Sequence, residues 1–164
     1  MRQLARYRVH LGFVAAAAAF VLAEPTPRTW LAGLVVAVGG EALRIWAAGH
    51  IDKGREITRS GPYRFLRHPL YAGSTLMGIG FAIAAWSLPV AALCAAYLGL
   101  TLAAAVRTEE AALDARFEGA YTAYREGRAA PVRRRFSMAR AIANREYRAA
   151  AGLVAAFAFL YWRL

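Results

Sequence analysis

The sequence predicts an all-α fold, namely a polytopic integral membrane helical bundle of about five transmembrane helices. Hydrophobic residues make up 59% of the 164 residues, and they are gathered into five blocks. Long apolar blocks, rather than a period of two or 3.6 residues, are typical of membrane helices. The basic residues are concentrated in alternate connections between the blocks, which is the charge pattern of a multi-pass membrane protein.

The five blocks are the candidate spans of a single membrane domain over residues 1–164. A helix of 18 or 19 residues measures roughly 27–29 Å, which matches the hydrocarbon core of a bilayer. The three middle blocks reach that length, whereas the first and the last need flanking residues to cross. The first block also fits a secretory signal, but we interpret it as a retained span. The predicted spans are residues 9–23, 30–49, 70–87, 88–106 and 149–162.

The distribution of positive charge predicts the orientation of the chain. Three basic residues precede the first block, five lie between the second and third, and ten lie between the fourth and fifth. Since cytoplasmic loops are rich in Lys and Arg, the N-terminus and both long loops are predicted to be cytoplasmic, in a bacterial inner membrane. The net charge of +11 is thereby explained without a nucleic-acid partner, and membrane lipids are the expected partners of Arg133-Arg134-Arg135. The sequence predicts no oligomeric state.

The third and fourth spans are predicted to form an antiparallel helical hairpin. Their connection, Trp86-Ser87-Leu88-Pro89, is long enough only for a tight turn. Ser74, Gly78 and Ala82 recur at four-residue spacing on the third span, and such a stripe of small residues lets helices approach closely. The polar ends of the two spans therefore lie side by side.

Residues 107–148 are predicted to form a cytoplasmic, interfacial helical segment. A first helix over residues 107–128 carries apolar and aromatic side chains on one face, and glycine and proline then end it. A second interfacial helix over residues 133–148 leads into the last span. The face of the first helix consists of Leu113, Phe117, Tyr121 and Tyr124.

Three clusters of polar residues fall at one membrane depth, at the cytoplasmic ends of the second, third and fourth spans. Each has a structural explanation by itself: an ion pair within a helix, contact with lipid headgroups, or a solvated helix end. Because the hairpin brings two clusters together, one shared site explains them better. With a single cysteine, the sequence predicts no metal site. The clusters are Glu41 with Arg44; Tyr63, Arg64, Arg67, His68 and Tyr71; and Arg107, Glu109 and Glu110.

Several short motifs surround these clusters in a fixed order. Residues 43–47 read Leu-Arg-Ile-Trp-Ala, residues 67–73 read Arg-His-Pro-Leu-Tyr-Ala-Gly, and residues 107–110 read Arg-Thr-Glu-Glu. The aromatic residues Phe117, Tyr121 and Tyr124 follow. In this order and spacing the motifs resemble those of the isoprenylcysteine carboxyl methyltransferases, within the superfamily of membrane methyltransferases that includes the phospholipid methyltransferases. The resemblance covers about residues 39–125, and the last span has no counterpart in it.

The resemblance implies S-adenosylmethionine as the cofactor, bound in a pocket at the cytoplasmic membrane boundary. The ammonium and ribose diol of this cofactor suit carboxylates, its carboxylate suits Arg or His, and its adenine suits aromatic rings. Arg44 and Arg107 match family arginines of the substrate side, so they are the expected catalytic residues. The cofactor-binding residues implied by the resemblance are Tyr63, Arg67, His68, Tyr71, Gly73, Glu109 and Glu110.

The implied reaction is methyl transfer to a lipophilic, membrane-embedded acceptor, for which we expect a carboxylate. A carboxylate needs no general base, so the protein has only to align the reactants and exclude water. The alternative is N-methylation of a phospholipid headgroup, in which Glu41, Glu109 or Glu110 would take the proton. Two other classes stay open, a sterol-type membrane reductase that uses NADPH and a non-catalytic lipid-binding membrane protein.

Overall fold

The computed structural model describes residues 12, 14–52, 56–117, 119–130, 132 and 134–164. In these residues the secondary structure is entirely helical, without a strand, so the predicted all-α class is confirmed. A single 3₁₀ turn over Gly61–Arg64 lies in the connection between the second and third helices. The α-helices are α1 (residues 14–22), α2 (Pro27–Ala48), α3 (Pro69–Ala85), α4 (Leu88–Arg116), α5 (Ala120–Arg125), α6 (Met138–Ala143) and α7 (Tyr147–Trp162).

Two of these helices are long and apolar enough to cross a membrane. They are α2, with 22 residues, and α4, with 29 residues. The apolar helices α3 and α7 are shorter, with 17 and 16 residues. Of the predicted first span, residues 9–11 and 13 lie outside the described residues, and residues 14–22 are helical. These helices indicate a membrane protein, while the number of crossings stays a prediction.

The sequence shows where the long helices begin. Proline occupies the first turn of α2, α3 and α4, where its missing N–H leaves no helical hydrogen bond unmade. Thr26 caps α2, because its side chain accepts a hydrogen bond from the backbone of Thr29 while the Thr29 hydroxyl accepts one from the Thr26 backbone. Trp86, in the left-handed region at φ 48°, turns the chain from α3 into α4. The predicted hairpin is therefore present.

Helices α2 and α3 pack closely through glycine. A Cβ atom on Gly33 would lie 2.3 Å from the carbonyl oxygen of Gly80, and one on Gly40 would lie 2.6 Å from that of Gly73. Such backbone-to-backbone approach is typical of small-residue interfaces between membrane helices. The contact stripe on α3 thus contains Gly73 and Gly80. Of the predicted stripe, Gly78 faces the Leu98 side chain on α4 and Ser74 contacts Arg44 on α2.

The bundle is closed at the end away from the 3₁₀ turn by an apolar core. The indole N–H of Trp30 in α2 donates to the carbonyl oxygen of Phe157 in α7 at 3.0 Å, and the two rings pack edge to face. Arg163, just after α7, donates to the carbonyl oxygens of Phe20 and Ala23 at the end of α1. The core residues are Ala19, Ala23, Ala37, Ala84, Ala85, Val90, Phe157 and Leu160.

The segment 107–148 differs from its prediction. The fourth span continues without a break to Arg116, and the chain then turns at Gly119, whose φ of 76° is one that glycine adopts without strain. The expected helix over 107–128 is therefore split between α4 and α5. The second expected helix, over 133–148, is reduced to the six residues of α6, because Arg145 at φ 62° separates it from α7.

Candidate active site

A polar cavity of about 1200 Å³ opens where α2 ends and where α3 and α7 begin, against the second half of α4. Side chains from these four helices and from the 3₁₀ turn line it. A second groove, of about 890 Å³, follows α3 and α4, and its lining carries no acidic or basic side chain. The ionisable groups needed for chemistry at a polar substrate therefore lie in the first cavity.

His68 holds two helices of the cavity together. Its Nε2 lies 3.1 Å from Oε1 of Glu110, and since a carboxylate only accepts, Nε2 carries the hydrogen. Its Nδ1 lies 3.9 Å from the carboxylate of Glu109, and its ring stacks on Tyr71 with the centroids 5.7 Å apart. The Tyr121 hydroxyl donates to the same Glu110 oxygen at 3.0 Å. The predicted hairpin brings the His68 and Glu110 clusters side by side, and in the structure the two side chains are in contact.

The hydroxyl group of Tyr63 forms no hydrogen bond with the described residues. The residue is 8% exposed and lines the cavity, yet its hydroxyl oxygen has no hydrogen-bond partner. Burial, with the nearby Glu109 carboxylate, raises the pKa of Tyr63 well above its usual value, so the group stays protonated. Tyr124 of α5 fixes the backbone here by donating to the Tyr63 carbonyl oxygen at 2.8 Å. A buried, unpaired hydroxyl at a cavity wall is suited to donate to a ligand.

Arg44 lines the cavity from α2 and is held by α3 and by the residue that precedes α7. Its Nε donates to Oε1 of Glu146 at 2.6 Å, and its Nη1 donates to the Ser74 hydroxyl and to the Leu70 carbonyl oxygen. Glu41, one turn earlier, lies 3.7 Å from Nε. The Glu41 carboxylate is buried and accepts no hydrogen bond from the residues that the structure describes. Two carboxylates therefore share one guanidinium.

The turn between α6 and α7 is a part of the cavity that the sequence motifs did not predict. Asn144, Arg145 and Glu146 all line it. The segment falls outside the motifs of the resemblance, and a turn carries no periodic signal. One signal was available, because Glu146 is the only acidic residue after Glu126 and it lies three residues before an apolar block. A lone carboxylate in an arginine-rich segment is a candidate ion-pair partner.

The expected site residues do not all reach the cavity. Arg67 lines it from an exposed position. Gly73 instead faces α2, where an added Cβ would lie 2.5 Å from Cγ of Arg44, so it sets the distance between the helices. Arg107 is exposed on α4 and is absent from the cavity lining, and its side chain makes no hydrogen bond or ion pair within the described part of the chain. The cavity brings together Arg44, Tyr63, Arg67, His68, Tyr71 and Glu109, with Glu110 behind His68.

Comparison with known proteins yields one family and two relatives. The model of the phospholipid methyltransferase family matches residues 27–120. The cobalt-zinc-cadmium resistance protein CzcN of Cupriavidus metallidurans is 35% identical over 97 residues, which cover 54% of this chain and 45% of that protein. The nickel-cobalt-cadmium resistance protein NccN of Alcaligenes xylosoxydans xylosoxydans is 31% identical over 97 residues, or 54% of this chain and 46% of that protein. The chain thus matches less than half the length of these curated relatives.

No solved structure matches the chain. The described residues contain no group of three or more His, Cys, Asp or Glu side chains that could hold a metal ion. The matched region, 27–120, contains α2, α3 and α4 and ends before α6 and α7. It therefore includes the His68 and Tyr63 side of the cavity and leaves out Glu146.

Proposed function

Because the chain belongs to the phospholipid methyltransferase family, we propose that it is a membrane enzyme that methylates a lipophilic acceptor with S-adenosylmethionine. The observation that carries the proposal is the polar cavity at the ends of α2, α3 and α4, inside the matched region. It joins an unpaired tyrosine hydroxyl, a histidine bound to a carboxylate, and an arginine bound to a second carboxylate. These are donors and acceptors for a polar cofactor beside an apolar lipid.

The residues present suit the cofactor chemically. The Glu109 side chain is 39% exposed and lines the cavity, so its carboxylate is available to an ammonium group or a ribose diol. The Tyr63 hydroxyl offers a further hydrogen bond, and Arg67 suits the cofactor carboxylate. The stacked rings of His68 and Tyr71 offer a surface for the adenine. When bound, the cofactor supplies an electrophilic methyl group on a sulfonium.

The role of the protein in this reaction is alignment and exclusion of water. Arg44 and Glu109 line the same cavity from α2 and α4, so an acceptor held by Arg44 and a cofactor held by Glu109 would share one space. Tyr124 and Tyr121 attach α5 to the Tyr63 backbone and to Glu110 by their hydroxyl groups, which fixes two residues of the site. Holding two reactants in line contributes several kcal/mol, on the order of 7–11, to lowering such barriers.

The expected acceptor is a carboxylate, which Arg44 would hold. Nε and Nη1 of Arg44 are engaged, whereas Nη2 makes no hydrogen bond with the residues described, and the side chain lines the cavity. Nη2 is therefore the donor left for one carboxylate oxygen while the other oxygen attacks the methyl carbon. The acceptor then becomes an ester, and the cofactor leaves as neutral S-adenosylhomocysteine.

One observation favours the second candidate, N-methylation of a phospholipid headgroup. Two buried carboxylates, Glu41 and Glu146, lie beside the guanidinium of Arg44, so its positive charge is offset when both are ionised. This offset weakens the attraction of Arg44 for a carboxylate and favours an ammonium at the same place. Glu109, which lines the cavity, would take the ammonium proton before the amine attacks.

Calorimetry on the full chain in detergent tests the proposal. We expect S-adenosylhomocysteine to bind in the micromolar range, and His68→Ala to abolish binding, because the variant removes the link between Glu110 and Tyr71. The exposed surface variant Glu126→Gln serves as the control. Binding of NADPH instead would indicate a reductase. Binding of neither would leave a non-catalytic lipid-binding protein.

The acceptor class is tested separately with labelled methyl groups. The chain is incubated with methyl-labelled cofactor and either isoprenoid carboxylic acids or aminophospholipid vesicles. Label released as methanol by mild base indicates an ester, and label that stays on the headgroup indicates N-methylation. We expect label in base-labile ester, because Nη2 of Arg44 has no partner among the described residues and suits a carboxylate. Label only on the headgroup amine would replace the carboxylate by the second candidate.

A further inference from the structure

Glu146 and Arg44 form a largely buried ion pair at the cavity. Glu146 directly precedes α7 and is 6% exposed, and it accepts a hydrogen bond from Nε of Arg44 at 2.6 Å. Nη1 is fixed from the other side by Leu70 and Ser74 of α3. Of the five N–H groups of the guanidinium, only the two on Nη2 have no partner among the described residues. The contacts thus fix the plane of the guanidinium and leave one edge of it free.

The turn that carries Glu146 is attached to the end of α2. The side-chain amide of Asn144 donates to the carbonyl oxygens of Ala48 at 3.0 Å and Ile51 at 3.2 Å. Arg145 follows in the left-handed region at φ 62°, which is unfavourable for a residue with a side chain. A strained residue persists where its surroundings determine it, and such residues cluster at functional sites. The turn therefore has one conformation, and that conformation places Glu146 against Arg44.

We propose that Glu146 is a positioning residue for Arg44 in methyl transfer. This inference rests on the proposed function, in which Nη2 of Arg44 holds the acceptor. Glu146 lies outside the region that matches the family, so α6 and α7 add to the family's site a carboxylate that orients its arginine. Glu146 itself makes no contact with the reactants in this role.

Glu41 explains why a carboxylate is needed at position 146. It lies 3.7 Å from Nε on the same helix and accepts no hydrogen bond within the described residues, so it competes for Arg44. An amide at position 146 would keep the hydrogen-bond acceptor but lose the charge. Arg44 would then turn towards Glu41, and Nη2 would leave the cavity. Displacements of about 1 Å can cost a factor of about 10² in rate.

The test is a double-mutant cycle on the full chain in lipid nanodiscs. We expect Glu146→Gln to lower kcat about 100-fold while the affinity for S-adenosylhomocysteine is unchanged. In an Arg44→Ala background the same change should cause no further loss, because residues that act through one another are not additive. Glu146→Asp, which keeps the charge, should recover most of kcat. The matched control is Glu126→Gln, which removes the carboxylate of an exposed pair with Arg128.

The outcomes separate this inference from the proposed function. Wild-type kcat in Glu146→Gln, or losses that add in the double variant, would overturn the positioning role and leave the methyltransferase intact. No binding of S-adenosylhomocysteine by the unaltered chain would overturn both. If Glu146→Gln does not fold, Asn144→Ala replaces it, since it releases the same turn and keeps both charges. A normal kcat in that variant would also overturn the role.

Discussion

One carboxylate oxygen, Oε1 of Glu110, accepts from both His68 and Tyr121. The shared oxygen links the start of α3 to α5 through α4, so the position of His68 depends on a hydroxyl from a six-residue helix. Burial and the Glu110 carboxylate raise the pKa of Tyr121 well above its usual value, which keeps the donor protonated. A single hydroxyl group therefore helps to determine where the histidine ring lies.

Tyr121→Phe tests this link, because it removes only the hydroxyl group. The ring stays buried, and the lost hydrogen bond is worth about 1 kcal/mol. If all of that energy is lost from the free energy of cofactor binding, calorimetry should show that the affinity for S-adenosylhomocysteine is lowered about fivefold. Tyr161→Phe, on the exposed end of α7, is the control and should bind normally. Unchanged affinity in Tyr121→Phe would mean that His68 is held without Tyr121.

Tyr63→Phe should act on stability and on binding in opposite directions. A buried hydroxyl without a partner destabilises the ligand-free protein by about 1–3 kcal/mol, so its removal should raise the Tm in detergent by about 2–4 °C per kcal/mol. Cofactor affinity should fall in the same variant, because the hydroxyl is the donor proposed for the ligand. A variant that is less stable and binds normally would contradict both parts.

At the scale of helices, the contact between α2 and α3 is set by glycine. A Cβ added to Gly80 would meet the carbonyl oxygen of Gly33 and the backbone nitrogen of Ala37. Both are backbone atoms, so they cannot move aside as the end of a flexible side chain can. The same two helices carry Arg44 and Ser74, which bond to each other at the cavity. The distance between the two helices therefore also determines the distance between Arg44 and Ser74 at the cavity.

Gly80→Ala should destabilise the protein by about 1–3 kcal/mol, which is typical of overpacking. A Cβ at this position would lie 2.5 Å from a backbone oxygen. Thermal unfolding in detergent measures the effect. Gly39→Ala on α2 is the matched control, because its Cβ would meet nothing within 4 Å. Equal unfolding temperatures of the two variants would show that α2 and α3 can move apart to accept the extra methyl group without loss of stability.

The sequence predicts one half of the site and not the other, for a physical reason. A tight turn at Trp86-Ser87 makes two antiparallel helices, and residues at similar distances from such a turn lie near one another. His68 and Glu110 follow from that geometry. Glu146 lies 102 residues from Arg44, and its position depends on the Asn144 contacts and on one left-handed residue. Neither leaves a periodic pattern in the sequence.

For the whole molecule, the two ends of the bundle have different chemistry. One end is the apolar core around Leu160 and Ala84, and the other is the polar cavity. The segments of the chain toward the cavity end hold fifteen of the 21 basic residues, five between α2 and α3 and ten from Arg107, in the second half of α4, to Arg148, at the start of α7. Positive charge stays in the cytoplasm, so the cavity is expected to open there. A soluble cofactor made in the cytoplasm could then enter it directly.

Labelling of single cysteines in intact cells tests this orientation. In a Cys94→Ala background, Ser87→Cys lies in the turn between α3 and α4, and Ala130→Cys lies after α5 at the cavity end. We expect a membrane-impermeant maleimide to label Ser87→Cys in intact cells and Ala130→Cys only after lysis, because the ten basic residues of the second loop oppose its translocation. The reverse pattern would place the cavity outside the cell, away from the cofactor, and would contradict the proposed reaction together with the orientation.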